Sequence, residues 1–119
     1  MIIGTHAVVF ASDAPRARAF FADVLGLPHV DAGDGWLVFR APPAELGVHP
    51  AAADAAGAHE LYLMCDDVEA TVAELTAKGV EFSGGGITDA GFGRLTHLLI
   101  PGGGRLGLYE PRHPVAYDL

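Results

Sequence analysis

Thr5-His6-Ala7-Val8-Val9-Phe10-Ala11-Ser12-Asp13-Ala14-Pro15, continued by Ala19-Phe20-Phe21-Ala22-Asp23-Val24-Leu25-Gly26-Leu27, decides the fold. The β-rich run Ile2 to Ala11 reads as a strand, and alternation puts His6, Val8 and Phe10 on one face. Ser12 to Pro15 is a helix start, with a capping side chain and a proline in the first turn. Ala17, Phe20, Phe21, Val24 and Leu25 then recur at helical spacing, and Gly26 closes the helix.

Outward from this strand–helix unit, three short strands are expected: around His29 to Asp31, at Trp36 to Phe39, and at Glu45 to His49. Gly33-Asp34-Gly35 and Pro42-Pro43 supply the turns between them. The small residues of 51–58 read as a connector. The pattern then restarts, with a strand at His59 to Cys65, a cap at Asp66-Asp67 and a helix over 68–78 closed by Gly79. Strands follow at Val80 to Ser83, Gly93 to Ile100 and Arg105 to Tyr109. Asp13 matches Asp67 at an offset of 54, and Phe21 matches Leu75 at the same offset. The expected fold class is therefore α+β, with two tandem βαβββ modules: module one over 1–50, module two over 59–111 and a tail over 112–119.

Composition narrows the function classes. The 119 residues are 50% hydrophobic and 18% charged, which suits one folded domain and excludes a disordered segment. A formal charge of -8 argues against binding nucleic acid through its phosphates and against docking on an anionic membrane. At long range that charge favours a cationic ligand. No apolar stretch approaches the about 20 residues of a membrane span, and the opening MIIGTHAVVF reads as a strand and not a leader. Cys65 is the only cysteine, so a disulfide scaffold is excluded and a cytoplasmic location is expected. Cys65 itself reads as a buried small hydrophobe. Gly84-Gly85-Gly86 and Gly102-Gly103-Gly104 lack a P-loop lysine and a following helix. They read as a rim and a hairpin turn, so no nucleotide cofactor is expected.

The opening stretch, together with Asp66-Asp67-Val68-Glu69-Ala70, Lys78-Gly79-Val80 and the closing run Ile100 to Pro111, resembles the vicinal oxygen chelate superfamily. That superfamily holds glyoxalase I, bleomycin-resistance proteins, extradiol dioxygenases and fosfomycin-resistance enzymes. The resemblance implies an open cup-shaped mixed β-sheet with flanking helices, and, in members with chemistry, a divalent metal held by the first and last strands of each module. Mapped position by position, the metal donors fall on His6, Glu60, Gly47 and Gly107, so two of four are glycine.

Strand parity assigns the cup face to His6, Val8 and Phe10; Glu45, Gly47 and His49; Glu60, Tyr62 and Met64; and Arg105, Gly107 and Tyr109. Glu110 has the opposite parity and is expected to point away. With His49 folded back, His6, His49 and Glu60 make a two-histidine, one-carboxylate set suited to non-haem Fe(II) or Mn(II), within an expected divalent metal of Fe, Mn, Ni or Zn. His49 is then a third ligand or a general base. Val8, Phe10, Trp36, Gly47, Tyr62, Met64, Phe92, Gly107 and Tyr109 are the expected pocket residues. His29, His59, His97 and His113 read as structural or solvated. Two functions stay open: a metal-dependent lyase, isomerase or dioxygenase, and a metal-free binding protein of the bleomycin-resistance type. Either one takes a small molecule as its partner. The short chain also implies a homodimer, with the cup formed within one chain or between two.

Overall fold

A computed structural model describes residue 1 and residues 4–119. Helix α1 (Ala14–Ala19) runs into a π-helical turn (Phe20–Val24). Strands β1 (His29–Asp31) and β2 (Leu37–Phe39) follow, then β3 (Tyr62–Met64), helix α2 (Val68–Ala77), β4 (Thr88–Asp89), β5 (Gly93–Ile100) and β6 (Gly104–Pro111).

Both helices begin where the capping chemistry puts them. The Asp13 carboxylate accepts from the Arg16 amide at 3.2 Å, and that of Asp67 accepts from the Ala70 amide at 3.0 Å. Gly26, at φ 67°, ends the first helical segment in a conformation that a side chain would oppose.

Strands β1 and β2 form an antiparallel pair, and the second sheet has the order β3-β6-β5-β4. Within it β3 runs parallel to β6, and β5 and β6 form an antiparallel hairpin from Gly93↔Pro111 to Ile100↔Gly104. Alternation divides this sheet into two faces. Thr96, Leu98, Ile100, Leu106 and Leu108 are buried, and all but Thr96 join Ala17, Phe20, Val68, Leu75 and Val80 in one core cluster. Leu98 and Val68 are fully buried, each contributing about 1.5–3 kcal/mol of transfer free energy. The first helix thus packs in the same core as α2. Its start is tied to the β5–β6 turn, where the Asp13 amide donates to the Gly102 carbonyl at 3.0 Å and the Ser12 hydroxyl to the same oxygen at 3.1 Å. Gly102 sits at φ 70°, and a Cβ there would come within 2.6 Å of Asp13 Cβ.

The α+β class is as expected, with open sheets, but the first module differs in detail. Ile2 and Ile3 of the expected first strand lie outside the described residues, and 4–11 carry no strand. The expected strand at Glu45 to His49 is also missing: 40–61 has no strand, and 53–57 form a turn. A strand exists only where a neighbour takes up its N–H and C=O groups, and among the described residues 4–11 and 45–49 join no strand. Their apolar residues face solvent, with Val8 62%, Phe10 89%, Leu46 92% and Val48 93% exposed. The accessible surface is 8603 Å², against about 6,100 Å² for a compact monomer of this mass. The radius of gyration is 15.1 Å, against about 13.5 Å for a compact chain of this length. In the second module the strand expected at Val80 to Ser83 is reduced to a single Phe82↔Leu98 bridge, and β4 was not anticipated. Among the described residues no helix is long and apolar enough to cross a membrane.

Candidate functional site

The face of the β3-β6-β5-β4 sheet turned away from the core carries a row of rings on a glycine floor. A Cβ at Gly107 would fall inside the Tyr62 ring, and one at Gly93 would strike the Tyr109 ring. The two tyrosine rings, inclined at 69° to each other, therefore occupy space beside the backbone that a side chain would otherwise take. Tyr62 is 6.1 Å from Tyr109 and 5.8 Å from His97, centroid to centroid, and Phe92 is 5.9 Å from Tyr109. Met64 is in register with Tyr109 across the parallel pair, so it shares this face. Parity placed Tyr62, Met64, Gly107 and Tyr109 together, and the register does the same.

Two polar groups flank the row. The Tyr62 hydroxyl donates to the Glu60 carboxylate at 2.8 Å. Burial, then that bond and the Glu60 charge, push the Tyr62 phenol above its usual range, while Arg105 acts in the opposite sense. Tyr62 is accordingly a protonated donor at neutral pH. At the other end, His113 Nδ1 lies 2.8 Å from the Pro114 carbonyl, which makes that nitrogen the donor. The Tyr109 hydroxyl then donates to His113 Nε2. Glu45 stands 3.7 Å from the same nitrogen and accepts from the Ala116 amide at 3.2 Å. Burial, and then the Glu45 charge, raise the Tyr109 phenol.

Glu110 leaves this face, as its parity requires. Its carboxylate accepts from the Val68 amide at 3.0 Å and so serves as a second cap on α2.

The structure does not assemble the other expected site residues. His6, Val8 and Phe10 lie exposed in the segment before α1, and Gly47 and His49 in the segment after β2. His49 Nδ1 donates to the Pro50 carbonyl at 2.6 Å. Among the described residues no three His, Cys, Asp or Glu are grouped so as to hold a metal ion, so His6, Glu60 and His49 do not form one intrachain donor set. The physical reason is that His6 and His49 belong to the two segments that join no sheet. Trp36 stands at the β1–β2 turn, with the Arg18 guanidinium 4.9 Å from its ring centre. It is thus stacked on the first helix and is no member of the aromatic row.

His97 and His113 were read as structural or solvated, yet one lines the ring row and the other ends it. His97 is legible in hindsight: folding β5 onto β6 about the Pro101-Gly102-Gly103 turn sets His97 opposite Gly107. Nothing local marks His113, whose place depends on how the tail returns to Tyr109.

A family model described as the glyoxalase/bleomycin resistance protein/dioxygenase superfamily matches residues 5–105. Among solved structures, the chain is similar to TnmS3, an antibiotic-binding protein from a Streptomyces species, at 26% identity and a TM-score of 0.65. That match covers 93% of this chain and 98% of the other. A lactoylglutathione lyase from Agrobacterium tumefaciens shares the fold at 17% identity and a TM-score of 0.63, covering 91% and 92% of the two chains. A superfamily member from Sphaerobacter thermophilus does so at 23% identity and 0.63, covering 92% and 98%. No curated protein matches the chain in sequence. With 5–105 accounted for by one family model, and the fold shared with these structures, the chain belongs to the glyoxalase/bleomycin resistance protein/dioxygenase superfamily.

Proposed function

We propose that this chain binds a small aromatic molecule without a metal, holding it against the Tyr62–Tyr109 ring row. The observation that carries the reading is the Tyr62 ring lying on Gly107. Gly107 is where the family resemblance implies a metal-ligating carboxylate. Here that position has no side chain, and an aromatic ring fills the space. Tyr62, Phe92 and Met64 offer apolar surface for a ligand ring, backed by the buried Tyr109 ring, with Glu60 and His97 as polar groups at its margin. The likeness to an antibiotic-binding protein supports the same reading.

The binding unit in this proposal is a homodimer, working in the cytoplasm, where a lone thiol such as Cys65 stays reduced. The exposed stretches 4–11, before α1, and 46–58, between the Glu45 and Glu60 contacts, complete the cup in the second copy, bringing Val8, Phe10 and Gly47 to the ring row. About 2,500 Å² of surface beyond that of a compact monomer is an ample area for such an interface. Two chains also suit the metal-dependent alternative, because among the described residues of one chain His6, His49 and Glu60 form no donor set.

A thermal-shift and calorimetric screen of aromatic ligands, run in chelator and then with Fe, Mn, Ni or Zn added, tests the reading. A bound ligand at a hundredfold excess over its Kd stabilises the fold by about 2.7 kcal/mol, a shift of several degrees. Binding in chelator that is lost in Tyr62→Ala supports the proposal. Binding or turnover that requires an added metal, and is lost in His6→Ala and Glu60→Ala, overturns it in favour of the metal-dependent enzyme.

A further inference from the structure

Beside the ring row lies a pocket of about 160 Å³, lined by the Ser83 to Gly86 loop, Thr88, Leu95, Thr96, His97 and Arg105. No carboxylate lines it, in a chain carrying 15 Asp plus Glu against 7 Lys plus Arg. Arg94, Arg112 and Lys78 are each neutralised by a carboxylate, of Glu69, Asp89 and Glu74 respectively. Among the described residues Arg105 makes no ion pair, as is also true of Arg16, Arg18 and Arg40, but Arg105 alone of these lines this pocket, and its charge reaches the Tyr62 phenol. His97 joins the two places, since its ring lines the pocket and stands 5.8 Å from the Tyr62 ring.

We infer that this pocket receives an acidic group, a carboxylate carried by the aromatic ligand whose ring lies on Tyr62. The inference rests on the proposed function and adds the chemical class of the ligand. A guanidinium offers parallel N–H donors that match a carboxylate, and an imidazole offers one N–H in either neutral tautomer. The glycine loop adds backbone amides with no side chains to block the approach. At this volume the pocket holds the acidic group and an edge of the ring, leaving the rest of the ligand on the tyrosines. The overall charge of -8 repels anions at long range, but salt screens that field beyond about 8–10 Å. Contact with Arg105 and His97 decides the preference inside the pocket.

Calorimetry with 2-naphthoate, 2-naphthamide and 2-naphthylmethylamine on the full chain tests the inference. The acid is expected to bind about tenfold or more tightly than the amide, because a charge-assisted hydrogen bond replaces a neutral one. The amine is expected to bind weakest. Arg105→Gln weakens the acid more than the amide and so removes the advantage of the acid, whereas Arg94→Gln, which deletes a charge on the helix-facing side, leaves both unchanged. Equal binding of acid and amide, or equal weakening of the acid by both variants, overturns the acidic-group pocket and leaves the aromatic-ligand reading intact. Failure of all three naphthalenes to bind overturns both.

Discussion

The ring of Tyr62 covers the Cα of Gly107, one strand over, so closely that Gly107 has room for nothing larger than hydrogen. Tyr62 and Gly107 are register partners in the parallel β3–β6 pair, which makes this a cross-strand contact on one face. The absent side chain and the aromatic ring thus form one unit of packing.

Gly107→Ala is expected to destabilise the fold by about 1–3 kcal/mol, as overpacked sites do. Tyr62→Ala made in the same chain recovers part of that loss, because it removes the ring the new methyl strikes. A double-mutant cycle by urea denaturation reads the interaction directly. Additive losses would show that the two residues do not press on each other.

Helix α2 has two carboxylates at its N-terminus, Asp67 on the Ala70 amide and Glu110 on the Val68 amide. Glu110→Gln is expected to cost less than Glu110→Ala, since an amide oxygen still accepts the bond. The alanine variant should lose about 1 kcal/mol, as other lost helix caps do. A Glu110→Ala variant as stable as the parent would mean that Asp67 and water suffice.

The Asp89 carboxyl is held below its ordinary range, first by the Gly91 amide and then by the Arg112 guanidinium. Its folded-state pKa is therefore lower than its unfolded one. The stability it contributes is present above the ordinary value of 3.8 and disappears as pH falls through the depressed value. Thermal melts of the parent and Asp89→Asn should differ at neutral pH and converge in acid. A gap that persists at the lowest pH would locate the effect in the turn geometry and not in the charge.

Val48 is 93% exposed and Phe10 89%, on the two segments assigned to the second copy. Light scattering coupled to size exclusion should show a dimer. Val48→Asp and Phe10→Asp should each shift it toward monomer, because a charge placed in a closed apolar interface is strongly unfavourable. A parent that stays monomeric at high micromolar concentration would remove the dimer from the proposal.

Much of the second module was legible from residues alone. Asp67 and Gly79 bracket α2, Gly93 to Ile100 is a strand over its expected bounds, and parity turns Glu110 away from Gly107. The first module was less so, because alternation in Thr5 to Phe10 and Glu45 to His49 shows only that strands are favoured there. Forming one takes a partner edge, and local sequence does not say which chain supplies it. His97 and Arg105 were missed as a pair for a related reason. They lie eight positions apart on opposite sides of a hairpin turn, and only the turn's register brings both to one pocket.

The hydrogen bond from the Asp13 amide to the Gly102 carbonyl joins residues 89 positions apart. A growing chain can fold β1 and β2 early, but Ala17 and Phe20 find their core only after β5 and β6 have been synthesised. The two halves of this chain are consequently not separable units. A fragment ending near residue 58 would leave the first helix without its anchor and its apolar face uncovered, and it should emerge as an unfolded, protease-sensitive peptide. In this chain the later half is the template on which the earlier half acquires its shape.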